Sequence, residues 1–211
     1  MAKKLLIVGA GGCGRETLLW ARQIQEKKHL WDEIGFLDDN LNALKEFNIN
    51  AKLVGTIKDY EPKENEFVVC AIGNPAIKQS ICNLLLEKGA QFTNLIHPTS
   101  VVAHNASLGK GVIICPYAII TDNTILEDFV IVDSFSSIGH DVVIEKGCTI
   151  SACCNVMGNT SLEEGVFIGG SAVVIPGIKI GRNATIGAGS VVVNKVKENN
   201  KVFGNPAVQI Y

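Results

Sequence analysis

From Ile96 to Val192 every sixth residue is Ile, Val or Leu, seventeen positions in succession. A helix would space apolar residues three and four apart, and a long half-buried strand would alternate them, so a period of six belongs to neither. It belongs to a chain in which each hexapeptide is one short strand and a turn. Three hexapeptides make a triangular coil, and the coils stack into a parallel β-helix with the aliphatic side chain facing the axis. The positions two before each aliphatic residue, from Ala106, Val112, Ala118 and Thr124 to Ser190, are small or β-branched. Residues two apart on a strand share a face, so this is the second inward register of a narrow prism. Gly109, Gly139, Gly169, Gly181 and Gly187 each follow an aliphatic position and read as the residues that turn the corners. The period never slips, which predicts a little over five coils and no looped-out insertion.

Before Ile96 the pattern changes. Lys4 to Val8 reads as a buried strand, Arg15 to Lys28 as a helix, and Glu33 to Leu37 as a second strand ending in Asp38-Asp39. A weaker strand lies near Lys52 to Thr56 and a fourth spans Phe67 to Ile72. A helix follows over Ala76 to Lys88, and Phe92 to Ile96 leads through His97-Pro98 into the repeats. This alternation predicts a small parallel α/β sheet of four or five strands. The expected division is an α/β domain over residues 1–95 and a β-helix over residues 96–211.

Composition narrows the function classes. A hydrophobic content of 47% over 211 residues fits a compact protein of one or two domains. The formal net charge of -2 supplies no basic field for nucleic acid or an anionic membrane. The apolar run Leu5 to Val8 is too short for a signal peptide and no segment approaches a membrane span, so a cytoplasmic location is expected. Seven cysteines without a Cys-x-x-Cys pair argue for free thiols and against a metal site, and Cys148 and Cys154 fall in the small inward register.

Two segments carry candidate chemistry. Gly9-Ala10-Gly11-Gly12-Cys13-Gly14 places Gly-x-Gly-x-x-Gly between a strand and a helix, where backbone amides and the helix N-terminus can meet a diphosphate. Asp38 and Asp39 end the next strand, where ribose or sugar hydroxyls would be read. The domain lacks the second mononucleotide-binding half, and the rest of the chain is a prism. The turn therefore points to a nucleotide-linked substrate rather than to a nicotinamide enzyme, with a merely structural glycine turn as the competing reading. The second segment is Ser137-Ile138-Gly139-His140-Asp141. It puts a histidine at an outward corner with a carboxylate beside it, which suits proton abstraction near neutral pH. An exposed polar turn is the competing reading. His29, His97 and His104 read as solvated or structural.

The α/β domain, the Ile-His-Pro junction, the prism with Gly-His-Asp in its third coil and the closing Gly-Asn-Pro-Ala together resemble a known family. It is that of the bacterial hexapeptide-repeat sugar acyltransferases: nucleotide-amino-sugar N-acetyltransferases of bacillosamine and perosamine type, and the sialic acid O-acetyltransferases. The resemblance covers essentially the whole chain. It implies a Rossmann-like domain, a left-handed β-helix, acetyl-CoA as co-substrate and a homotrimer with intersubunit active sites. It also implies His140 as general base, Asp141 as the group that enhances its basicity, and the Gly158 amide as the donor facing the acetyl carbonyl. Thr149, Gly170 and Ala188 would touch acetyl-CoA, while Gly11, Gly12, Cys13, Asp38, Asp39 and Gly73 would hold the nucleotide sugar. Some members of that family carry histidine at the positions of Cys13 and Thr149, so this chain departs from their pattern there.

The expected function is acetyl transfer to the amine of a nucleotide-activated amino-deoxy sugar. O-acetylation of a sialic-acid-type sugar and a non-catalytic trimeric nucleotide-binding scaffold are the alternatives. A scaffold has no need of His140 with Asp141, and a serine acetyltransferase would carry a helical N-terminal half. Val101, Val143, Val173 and Val191 on the outer faces are expected to meet neighbouring copies.

Overall fold

The computed structural model describes residues 2–210. Its first part is a sheet of five parallel strands, β1 (Lys4–Val8), β2 (Glu33–Leu37), β3 (Lys52–Gly55), β4 (Glu66–Cys70) and β5 (Gln91–Phe92), in the order β3-β2-β1-β4-β5. Leu5 to Val8 are buried on both sides of the sheet, which is why β1 reads as a continuous apolar run. Helix α1 spans Gly12–Lys28 and starts earlier than its apolar period, because the glycine turn itself supplies the first helical residues. It ends at His29, which takes a left-handed conformation (φ 48°) outside the helix and donates its N–H to Gln25 O. Helix α2 spans Pro75–Glu87, with Asn74 accepting the Ile77 N–H and Pro75 opening the first turn. The order reverses direction at β1, with β2 on one side and β4 on the other. In open parallel sheets ligands bind at that switch point, beyond the strand C-termini.

The stretch from Phe92 to Ile96 is not one strand. Gln91–Phe92 pairs with β4, whereas Leu95–Ile96 pairs with Ile113–Ile114 of the prism. Asn94 bridges the change: its side chain donates to Gly109 O and accepts the Val112 N–H.

Every prism strand from Leu95–Ile96 to Val191–Val192 is two residues long, one per hexapeptide, and pairs in parallel with the strand eighteen residues away. The first face carries Leu95–Ile96, Ile113–Ile114, Ile131–Val132, Thr149–Ile150, Phe167–Ile168 and Thr185–Ile186. The second runs from Val101–Val102 to Val191–Val192, and the third from Ser107–Leu108 to Lys179–Ile180. The aliphatic series is buried from Ile114 onward; Ile96, Val102 and Leu108 are half-buried because they line the open end. Polar members of the second register bond to the main chain: Thr124 donates to Gly139 O and Ser136 to Ser151 O, while Ser190 accepts the Gly204 N–H.

The corners work differently from the reading of the glycines. The left-handed residue is the third after each aliphatic position, from Gly111 to Gly189, with φ between 53° and 75°. Tyr117, Phe129, Phe135 and Asp141 adopt it as well as glycines do, held by coil-to-coil bonds such as Phe129 N–H to Lys110 O and Asp141 N–H to Asp122 O. Glycine at Gly109, Gly139 and Gly169 answers a close approach instead. A Cβ there would stand 2.5–2.7 Å from the backbone nitrogen of Asp128, Gly158 or Ala188 in the next coil.

The α/β part packs on the first face. Ile113 and Ile131 point outward from the prism, yet they are buried with Leu5, Leu18, Ile24 and Trp31 in one apolar cluster. At roughly 1.5–3 kcal/mol for each fully buried aliphatic side chain, this contact makes one body of the two parts. His97 fastens it, with Nδ1 bonded to Thr99 Oγ1 at 2.8 Å and Nε2 to Gln23 Oε1 of α1 at 2.7 Å. Among the described residues no helix is long and apolar enough to cross a membrane.

Candidate active site

At the switch point lies a cleft of about 410 Å³ lined by Gly11, Gly12, Cys13, Asp38, Asp39 and Gly73. The structure thus brings together all six residues expected to hold the nucleotide sugar. Their physical roles differ. A Cβ on Gly11 or Gly12 would meet nothing within 4 Å, so these glycines leave the helix N-terminus open to a ligand. A Cβ on Gly14 would collide with Gly9 O, so that glycine serves packing. The Asp38 carboxylate accepts the Ala10 N–H at 2.7 Å and the Asn40 N–H at 2.8 Å, pinning the glycine turn. Asp39 accepts the Ile57 and Lys58 N–H groups and holds the opposite wall.

A second pocket, about 150 Å³, continues from Cys13 and Gly73 past Trp20 of α1 to the prism residues Asp133, Thr149 and Phe167. Burial, reinforced by Asp133, pushes the Cys13 thiol up to about 11, so it stays protonated. Thr149 accepts a hydrogen bond from Lys78 Nζ at 2.7 Å.

His140 stands at the corner between the second and third faces. Its Nδ1 bonds Asp141 Oδ2 at 2.7 Å, and Asp141 Oδ1 accepts from Asn123 Nδ2 at 2.7 Å. The bond from Asn123, and then that from His140, hold the Asp141 carboxyl below the usual carboxylate range. With the carboxylate accepting from Nδ1–H, a neutral imidazole presents Nε2 as an acceptor. The ring lies over Gly158 of the next coil, where a Cβ would stand 2.7 Å from Nε2. Any larger residue at 158 would push the imidazole away.

Gly170 and Ala188 share a different corner, between the first and second faces, one coil apart; Gly189 N–H donates to Gly170 O. Within one chain the width of the second face separates them from His140. Thr149 lies on the first face, near the glycine turn.

Sequence reasoning missed Lys78 and Asn123. Lys78 shares the buried stripe of α2 with Cys82 and Leu85, at spacings of four and seven, so a lysine at an apolar position was the available signal. Asn123 is eighteen residues before Asp141, one coil away, and the repeat length alone identifies it as a neighbour.

Comparison with known proteins agrees with this architecture. Residues 4–85 match the PglD N-terminal domain family, and residues 159–194 match the bacterial transferase hexapeptide family of six repeats. GDP-perosamine N-acetyltransferase of Escherichia coli O157:H7 is 32% identical over 112 residues, 53% of this chain and 50% of that protein, so the match spans half the length of this curated relative. The acetyltransferase domain of PglB from Neisseria gonorrhoeae FA1090, solved in complex with acetyl coenzyme A, is 29% identical with a TM-score of 0.90, covering 100% of both chains. WeeI from Acinetobacter baumannii AYE is 27% identical with a TM-score of 0.87, covering 99% of this chain and 100% of that one. The chain thus carries a PglD N-terminal domain followed by a hexapeptide-repeat prism, the arrangement it shares with the solved acetyltransferase domain of PglB.

Proposed function

We propose that the protein transfers the acetyl group of acetyl-CoA to the amine of a nucleotide-activated amino-deoxy sugar, with His140 as general base. The observation that carries this reading is the His140–Asp141 pair at 2.7 Å, its free Nε2 lying over Gly158. The sugar amine attacks the thioester carbonyl, Nε2 takes the amine proton, and Asp141 stabilises the resulting imidazolium. The Gly158 N–H faces the developing oxyanion. Collapse of the intermediate breaks the C–S bond, and the CoA sulfur leaves and accepts the proton. The diphosphate rests on Gly11, Gly12 and Cys13, while Asp38, Asp39 and Gly73 shape the sugar end of the cleft. Thr149, Gly170 and Ala188 contact acetyl-CoA. The relative named for GDP-perosamine and the PglB domain bound to acetyl coenzyme A support both substrates. CoA thiol release measured over a panel of UDP- and GDP-linked sugars tests the reading. Release with amino sugars supports it, and release only with sugars lacking an amine contradicts it.

The separation of His140 from Gly170 and Ala188 calls for a second copy to complete the site. In a trimer the His140 corner of one copy meets the Gly170 corner of the next. The second face supplies the apolar surface: Val101 is 60% exposed, Ile119 40%, and Tyr117 stacks on the exposed Phe135 at 5.1 Å. Val173 and Val191 are half-buried on the same face, and Val143 on the third. Light scattering at micromolar concentration is expected to give three times the chain mass; a monomer would contradict the shared site.

Asp38→Ala frees the Ala10 amide and loosens the glycine turn. The expected result is a raised KM for the nucleotide sugar with the KM for acetyl-CoA unchanged. A parallel rise in both, or NAD binding by the unaltered protein in calorimetry, would contradict the assignment of the cleft.

A further inference from the structure

Lys78 is a lysine with no exposed surface, held between α2 and the first prism face. Its Nζ donates to Cys148 O at 3.0 Å and to Thr149 Oγ1 at 2.7 Å. Among the described residues no carboxylate pairs with it. Its ionisable neighbours are the thiols of Cys70, Cys148, Cys82 and Cys13. Burial lowers its pKa to about 8, which leaves the ammonium as the main form at neutral pH. A buried cation facing no carboxylate is costly, and an apolar side chain of the same length would pack in its place at lower cost. Packing alone therefore gives no reason for lysine here.

The ammonium carries three donors and no acceptor. Thr149 Oγ1 must accept from it, so the hydroxyl hydrogen of Thr149 points elsewhere. Among the described residues no protein acceptor takes that hydrogen. The pocket beside it, shared with Cys13, Gly73 and Asp133, is the open direction.

We propose that Lys78 is a positioning residue that fixes the Thr149 hydroxyl as a donor into this pocket, toward the carbonyl oxygen of the acyl thioester. This rests on the reading of Thr149 as an acetyl-CoA contact. It gives α2 two tasks: Gly73, just before its N-cap Asn74, lines the nucleotide cleft, and one turn into the helix Lys78 sets the donor on the acyl side.

A double-mutant cycle tests the proposal, with kcat and both KM values measured for Lys78→Met, Thr149→Val and the double variant. Each single change is expected to lower kcat/KM for acetyl-CoA about tenfold, the scale of one hydrogen bond, with the nucleotide-sugar KM moving less than about twofold. The double variant is expected to lose no more than the worse single, because Lys78 acts through Thr149. Thr149→Ser, which keeps the hydroxyl, is expected to recover most of what Thr149→Val loses. The melting temperature of Lys78→Met is expected to stay at or above that of the parent, since an apolar group replaces a buried charge. Additive losses in the double variant, an unaffected Thr149→Val, or a loss confined to the nucleotide-sugar KM would each overturn the proposal. A parent protein that transfers no acetyl group to any amino sugar would overturn the reading of the site, and this inference with it.

Discussion

Replacing His140 with alanine is expected to lower turnover by about 10²- to 10⁴-fold, the usual share of general acid–base catalysis. The expectation follows from where the side chain sits. His140 is 61% exposed at a prism corner, and among the described residues its side chain bonds only to Asp141. Removing the imidazole therefore takes nothing from the aliphatic stack, and the melting temperature is expected to stay that of the parent. Asp141→Asn is expected to cost less, because that carboxylate orients and tunes the ring rather than taking the proton. Its second oxygen is held by Asn123, so the ring's partner is itself fixed in place. Steady-state kinetics on a folded His140→Ala protein check this, and turnover equal to the parent's would remove His140 from the mechanism.

Gly14→Ala is expected to carry the largest stability loss. Its new Cβ would overlap the Gly9 carbonyl oxygen and lie 2.9 Å from the Gly9 carbonyl carbon, with Phe36 behind. These are backbone atoms at the end of the central strand β1, and neither can rotate away. Overpacking in a well-filled core costs about 1–3 kcal/mol and occasionally more, and a clash with backbone belongs at the upper end. Gly11→Ala and Gly12→Ala supply the contrast. A Cβ at either position meets nothing within 4 Å, so folding is expected to be unaffected. Nucleotide-sugar binding is expected to weaken, because the methyl group stands where a diphosphate would approach the helix amides. Chemical denaturation of the three variants separates the roles; a Gly14→Ala protein as stable as the parent would contradict the packing account.

The prism was legible in the sequence because each coil repeats one geometry, so the inward residue recurs every six positions without slippage. The cleft that gathers the glycine turn and the acidic pair was legible because both follow the C-terminal ends of neighbouring parallel strands. The corners were less so. Bonds between coils, from Tyr117 N–H to Thr99 Oγ1 and from Phe135 N–H to Pro116 O, hold these residues in left-handed conformations that isolated turns would reserve for glycine, so residue type alone misplaces the turn. Ile113 and Ile131 were opaque for another reason. They lie outward on a repeat whose period assigns that register to solvent, and only the docked α/β domain buries them. Lys78 shows the limit most clearly: a lone lysine on a short helix reads as solvated until the prism carbonyl and hydroxyl that receive it are in view.

The most direct test of the central claim is the identity of the product formed from acetyl-CoA and a nucleotide-linked amino sugar. Mass spectrometry of that reaction is expected to show the intact nucleotide sugar heavier by one acetyl group, and NMR is expected to place the group on nitrogen as an amide. Formation should slow by about 10²- to 10⁴-fold in His140→Ala. An acetyl group found on a sugar hydroxyl would contradict amine transfer, and no transfer to any amino-sugar nucleotide would contradict the account as a whole.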